Sequence, residues 1–348
     1  MCTEKLIDLF LHSKTYEDGA YRLTEKGPFY PEITAYAISL SCVLYKRKNQ
    51  TIFLDRAKEC AKYMMSAFSN GLPGPTDNRL PSPTDVRYTF DTGIFISSMF
   101  DLYAITKKEV YLNGAKKNLK WLYSLWNGKH FLAVDRVPEK KALYHLPSVG
   151  HAKMAIPLIK ASIYLRDEKY EITAHELLEN YKHLQTENGG FRINESSEEI
   201  LTHPHCYATE GFLYAYHVFK RQEFLEIAKK SSDWLCKVQN SDGSLYRIYR
   251  IKRTGEHQKR QEKLRQTDST AQATRIWKLL GENQKGIEKA YEYLNGELKD
   301  NGLREFKSVH LREKFFSWRR PIYLWPIFSY LHSLILPFGQ IEYCNELY

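Results

Sequence analysis

The chain lacks a dense cysteine framework. Its six cysteines, Cys2, Cys42, Cys60, Cys206, Cys236 and Cys344, are scattered over 348 residues with no Cys-x-x-Cys pair. That usage excludes a small disulfide-stapled scaffold and fits the reduced thiols of a cytoplasmic protein. Long uncharged apolar runs are also missing and mean hydropathy is −0.51, which argues against an integral membrane protein. Glu4 and Asp8 interrupt the first apolar stretch, so it does not read as a secretory signal. No Pro/Gly/Ser-rich linker divides the chain, and a single domain over residues 1–348 is expected. What is plentiful is core material: 43% hydrophobic residues, with 17 Phe, 25 Tyr and 6 Trp, exclude intrinsic disorder.

The net charge is +10, but it is local. Eight Arg/Lys against two Glu between Arg247 and Arg265 supply +6 of it. A nucleic-acid binder spreads such charge over a whole face, so this segment reads as a basic rim insertion at 247–265 and nucleic acid is not expected as a partner.

A repeat organises the rest. Phe53-Leu54-Asp55-Arg56-Ala57, Tyr111-Leu112-Asn113-Gly114-Ala115, Tyr170-Glu171-Ile172-Thr173-Ala174 and Phe224-Leu225-Glu226-Ile227-Ala228 recur about every 54 to 59 residues, with a fainter copy at Gly286-Ile287. Each opens an amphipathic helical stripe. Each is preceded by a more apolar helical stretch, at 33–46, 91–104, 149–164, 207–219 and 269–280. Each stripe is followed by a turn such as Asp18-Gly19-Ala20-Tyr21, Gly128-Lys129-His130-Phe131, Gly189-Gly190-Phe191, Asp242-Gly243-Ser244-Leu245 or Asn301-Gly302-Leu303. A buried helix followed by an amphipathic one is a hairpin, and hairpins of this period stack side by side. The last apolar stretch, 321–336, has no partner after it, whereas the first helix, 4–13, has none before it. Pairing the two predicts an all-α fold, an (α/α)6 toroid closed by the N-terminal helix. It also explains the run 321–339 as an inner helix, so that at most peripheral membrane contact is expected, with Pro326 kinking or delaying the helix.

In such a ring the entries to the inner helices converge. They carry Tyr30 and Glu32; Arg87 and Asp91; His151; His203, His205, Tyr207 and Glu210; Asp268 and Gln272; and Trp318, Arg319, Arg320 and Tyr323. Asp91 and Asp268 suit an acid/base pair, or alternatively helix N-caps. Glu210 suits catalysis or a buried ion pair. His203 and His205 suit proton transfer or sugar hydroxyls, or a hydrogen-bonded structural loop; the His203-Pro204-His205-Cys206 spacing matches no standard zinc pattern, and no metal or cofactor is called for. Tyr30, Tyr207, Trp318 and Tyr323 offer stacking faces, and Arg87, Arg319 and Arg320 offer bidentate sites for a carboxylate or phosphate. Glu32, His151 and Gln272 complete the polar lining.

Asp91-Thr92-Gly93 leading through Tyr111-Leu112 to Trp121-Leu122, together with Asp268-Ser269-Thr270-Ala271, resembles six-hairpin sugar enzymes such as unsaturated glucuronyl hydrolases and glucuronyl epimerases. The resemblance implies a catalytic role for Asp91 and a polysaccharide-pathway activity. The hydrolases' Arg-Gly-Gln-Ala-Trp segment is not found here. A second resemblance joins Gln239–Gly243 and Gln266-Thr267-Asp268-Ser269-Thr270-Ala271 to the repeat signature and DxDDTA motif of terpene cyclases, which implies Asp268 as a proton donor; Gln266 and Ser269 stand where that motif has acids. The leading expectation is an acid/base enzyme (hydrolase, lyase or epimerase) acting on an anionic, uronate-containing oligosaccharide. A terpene cyclase-like enzyme and a non-catalytic glycan-binding protein are the alternatives.

Overall fold

The computed structural model describes residues 2–77, 79–80, 82, 85–136, 146–251, 257–259, 264–308 and 322–348, with the backbone alone for 2, 257–259 and 306–308. Trp318, Arg319 and Arg320 lie outside the described residues, as do 252–256 and 260–263 of the basic stretch 247–265.

The helices alternate as the repeat requires. The apolar ones are α2 (Pro31–Lys48), α4 (Thr89–Thr106), α6 (Ala155–Leu165), α8 (Thr202–Phe219), α10 (Thr267–Leu280) and α12 (Trp325–Ile335). The amphipathic ones are α1 (Cys2–His12), α3 (Thr51–Ala67), α5 (Glu109–Tyr123), α7 (Glu168–Lys182), α9 (Gln222–Val238) and α11 (Gln284–Glu297). Burial follows the sequence pattern. In α9 only one stripe is covered, Phe224, Leu225, Ala228, Ser231, Ser232, Trp234, Leu235 and Val238, whereas α8 is buried on every face from Pro204 to Ala215.

The hairpin corners repeat as well. α2, α4, α6, α8 and α10 each end in a left-handed residue: Asn49, Lys107, Arg166, Lys220 and Gly281. The N–H groups of Asn49, Lys107 and Lys220 close on the carbonyls of Tyr45, Tyr103 and Tyr216. Three of the five corners therefore carry a long or branched side chain in a conformation that favours glycine, at about 1 kcal/mol each. That is why these corners left no glycine signal in the sequence.

Contacts cluster into two compact units. One comprises 1–13, 148–153 and 181–347 and holds α1 with α8–α12; the other comprises 14–147, 154–180 and 348 and holds α2–α6 and most of α7. Within the first unit α1 packs on α12, Phe10 meeting Phe328 edge to face with ring centroids 5.4 Å apart. The N-terminal helix is thus the outer partner of the last inner helix.

One detail differs from expectation: residues Val149–Met154 wind as a 3-10 helix before α6 begins. Of the two roles expected of Pro326, the structure shows the delay and not the kink: it lies in the first turn of α12, where its missing N–H costs nothing, and the helix begins at Trp325. Short strands also join the all-α plan. After each amphipathic helix a glycine in positive φ (Gly19, Gly71, Gly128, Gly189, Gly243 or Gly302) turns the chain back into two- to four-residue strands or isolated bridges. In two turns a glutamine clips this geometry to the next helix. The Gln185 Nε2 amide donates to the carbonyls of Gly189 (3.2 Å) and Ile227 (2.9 Å), and the Gln239 Nε2 amide to those of Gly243 (2.9 Å) and Gly286 (2.8 Å).

Candidate functional site

The turn strands bring polar side chains to the inner-helix entries by a recurring bond. Thr89, Thr202 and Thr267 are each the first residue of an inner helix, and their N–H groups donate to the carbonyls of Ala133, Arg247 and Glu305. Their hydroxyls donate to the same strands. Threonine fits because its hydroxyl answers a second carbonyl while its N–H, orphaned at a helix start, answers the first.

At α8 and α10 this arrangement assembles a titratable cluster. His203 and Asp268 each follow the anchoring threonine, and His203 Nδ1 lies 2.9 Å from Asp268 Oδ2, within ion-pair distance but out of line for a hydrogen bond. The other Asp268 oxygen accepts the Ser269 N–H at 2.6 Å, and the Ser269 hydroxyl donates to Gln266 Oε1 at 2.8 Å. Asp268 is therefore a buried first-turn carboxylate and not an N-cap, since α10 is capped at Gln266. The His203 ring is held between two aromatics: Tyr207, one turn further along α8, at 4.2 Å, and Trp325, the first residue of α12, at 5.5 Å.

Glu305, whose carbonyl Thr267 grips, lies within electrostatic reach of Asp268. Burial and the Asp268 charge push its carboxyl up to about 8, against the pull of Arg247 and a hydrogen bond with Gln266. Burial and Glu305 in turn raise the Tyr323 phenol. The cluster brings together a histidine, an aspartate and a glutamate whose carboxyl is pushed up to about 8, the equipment of general acid–base chemistry.

The other unit carries a second carboxyl of this kind. Asp91 is the third residue of α4, which is capped at Tyr88, so the N-cap reading fails here too. It is 5% exposed, and burial followed by the Glu32 charge pushes its pKa well above the carboxylate range. Burial and Asp91 raise the neighbouring Tyr88. Tyr30 and Glu32 flank Pro31 at the start of α2, both half-buried. Arg87 is used internally, since its guanidinium donates to the Asn70 carbonyl and its N–H to Asp135 Oδ1 at 3.0 Å.

Other candidates are buried away from the surface. Glu210 is fully buried between two cations: Lys153 Nζ donates to Oε2 at 2.8 Å, and Arg275 donates to Oε1 through Nε at 2.9 Å and through Nη2. Burial raises its pKa, but the Arg275 and Lys153 charges outweigh burial and hold it below the usual range. It is the ion-pair member of the two readings. His205 Nδ1 accepts the Phe191 N–H at 3.1 Å and its Nε2 faces Ser231, so both nitrogens are engaged inside the α8–α9 seam and away from His203. His151 Nδ1 accepts the Ser148 N–H at 3.2 Å, and Gln272 is buried within α10. Among the described residues no group of three His, Cys, Asp or Glu side chains is placed to hold a metal ion, and no helix is long and apolar enough to cross a membrane.

No protein-family model matches the sequence, and none of the curated proteins matches it. Solved structures do. The chain is similar to cellobiose 2-epimerase from Bacillus thermoamylovorans, with a TM-score of 0.76 and 11% identity over 96% of this chain and 98% of that one. It is similar to an unsaturated glucuronyl hydrolase specific for heparin, with a TM-score of 0.67 and 12% identity over 95% of each chain. It is similar to an α-mannanase from Bacteroides thetaiotaomicron, with a TM-score of 0.66 and 12% identity over 98% of this chain and 94% of that one. These likenesses show the fold: an (α/α)6 toroid. At such identities they assign no residue a role.

Sequence reasoning missed Glu305, Trp325, Lys153 and Arg275. Glu305 had a signal, because it directly follows the fifth turn, Asn301-Gly302-Leu303-Arg304. The others had none, because α12 begins later than its apolar run suggested and Lys153 reaches α8 from the 3-10 segment.

Proposed function

We propose that the chain is an enzyme acting on an anionic, uronate-containing glycan by proton transfer. The observation that carries this reading is the His203–Asp268 pair, 2.9 Å apart, with Glu305 close enough to Asp268 for its carboxyl to be pushed up. Glu305 is the proton donor, and His203, oriented by Asp268, takes or returns the second proton. Hydrolysis, elimination and epimerisation all consist of such paired transfers. The half-buried indole of Trp325 beside His203 supplies a stacking face for a pyranose ring. Arg247, close enough to lower Glu305, supplies the cation for a uronate. Asp91, its pKa raised by burial and by Glu32, is a second carboxyl on which activity depends. The sugar-acting names of the similar structures, an epimerase, a glucuronyl hydrolase and a mannanase, support a carbohydrate substrate.

A cyclase-like chemistry asks for one isolated acid in an apolar cavity. Asp268 has a histidine at 2.9 Å and Glu305 as neighbour, which favours sugar chemistry. The test is a panel of uronate-containing and neutral oligosaccharides followed by NMR for bond cleavage, unsaturation or inversion at a ring carbon. Turnover of a uronate member, abolished in D268N and D91N, is expected. Inertness of the wild type across the panel refutes the reading, and binding that D268N leaves intact without turnover points to a glycan-binding protein.

A further inference from the structure

Lys153, Glu210 and Arg275 are 1%, 0% and 1% exposed at their side chains, and none of them belongs to the acid–base cluster. Burying three charges is expensive, and apolar side chains of similar volume fill such a space as stably or better. Their presence calls for a role that packing alone does not require.

The geometry supplies one. Along α8, His203, Tyr207 and Glu210 stand on successive turns of one face. Lys153 reaches this face from the 3-10 segment Val149–Met154, and its ammonium bonds Glu210 at 2.8 Å while lying 4.4 Å from the centre of the Tyr207 ring. The Tyr207 ring then packs against His203 at 4.2 Å. The segment that brings Lys153 is seated tightly on α8. Gly150 lies against Pro204, and a Cβ at Gly211 would come within 2.4 Å of the Ala152 carbonyl oxygen, so glycine at 211 is what permits the approach. Arg275 holds the other side of Glu210 from α10, the helix that also carries Asp268.

We propose that Lys153 is a positioning residue: clamped by Glu210, its ammonium fixes the Tyr207 ring, and that ring fixes the His203 imidazole against Asp268. The claim rests on His203 being the acid–base residue of the proposed function. A cation over an aromatic face resists ring rotation better than an apolar contact does, because the attraction depends on the ring's orientation. The stack Lys153–Tyr207–His203 thus carries rigidity from the buried charges to the edge of the site, where small displacements are costly to proton transfer.

The test uses full-length protein labelled at histidine, with the His203 ring resonances assigned by their loss in H203Q. In the wild type, the flanking Tyr207 and Trp325 rings displace these resonances from free-histidine positions. K153M should reduce the displacement and, on any sugar the wild type turns over, lower kcat by about tenfold with KM changed by less than about twofold. K153R should retain both. If K153M does not fold, K153Q, which keeps a donor for Glu210 but removes the charge above Tyr207, decides by the same readout. Unchanged His203 resonances in folded K153M or K153Q overturn the proposal. A wild type inert on every sugar overturns the proposed function instead, and the resonances still decide whether Lys153 orients His203.

Discussion

His203 Nδ1 stands 2.9 Å from Asp268 Oδ2 because each residue follows a threonine that begins its own inner helix. Thr202 and Thr267 grip the strands behind them through main chain and hydroxyl, which sets the depth at which the next side chain emerges. Two copies of one local device thereby bring a histidine and an aspartate together, and the second also delivers Glu305.

Asp268 is one of the two causes that raise Glu305. Replacing Asp268 with Asn removes the charge and leaves burial. The Glu305 carboxyl should then titrate lower than about 8, yet still above its ordinary 4.5. Carboxyl-labelled NMR titration of D268N against wild type checks this, and an unchanged midpoint would assign the whole shift to burial.

The raised carboxyls also set a pH dependence of stability. A folded-state pKa above the unfolded value means that the native state binds the extra proton, so stability is greatest below about 4.5 for this term and declines as pH rises toward about 8 for Glu305. Asp91 acts with the same sign, losing stability as pH rises through its raised pKa. Denaturant midpoints of E305Q and wild type should therefore diverge with pH, the variant becoming the more stable at pH 8. Parallel curves from pH 5 to 9 would show that Glu305 is not held protonated.

Removing Glu210 isolates Lys153 and Arg275 in the interior. E210A should cost about 3–5 kcal/mol, read from urea unfolding. His332, beside Arg275, adds an acid limit of opposite direction. Burial pushes it down to about 4, so the protein should lose stability as pH falls from about 6.5 to 4, where the unfolded chain takes up the proton first.

The glutamine clips are testable alone. Q239A removes two hydrogen bonds, to Gly243 and Gly286, and should cost about 1–3 kcal/mol. G243A should cost more, because its φ is +86° and a Cβ would sit 2.2 Å from the Lys289 backbone. Equal midpoints for Q239A and wild type would show that water replaces the clip.

Much of the architecture was legible because it repeats. The apolar-then-amphipathic alternation located the helices, and the unpartnered ends of the chain foretold the Phe10–Phe328 contact. Among the candidates, His203 and Asp268 in one unit, and Asp91 in the other, stood out because polar residues at helix entries contrast with apolar helices. Glu305 was hidden because a single glutamate on a turn strand looks solvated until Thr267 is seen to hold its carbonyl. Glu210 and His205 stayed open between chemistry and structure, since a buried charge and a buried imidazole fit either until their partners, Lys153, Arg275, Phe191 and Ser231, are in view. Those partners come from distant segments that no local pattern connects.

The most direct test of the account is the pH dependence of kcat/KM on the best uronate substrate, measured for wild type and E305Q. A rate that falls as pH rises through about 8, with that limb absent from a slow E305Q, is the predicted result. A wild-type rate flat from pH 6 to 10, or an E305Q variant that keeps both rate and limb, would contradict the assignment of Glu305 as the proton donor.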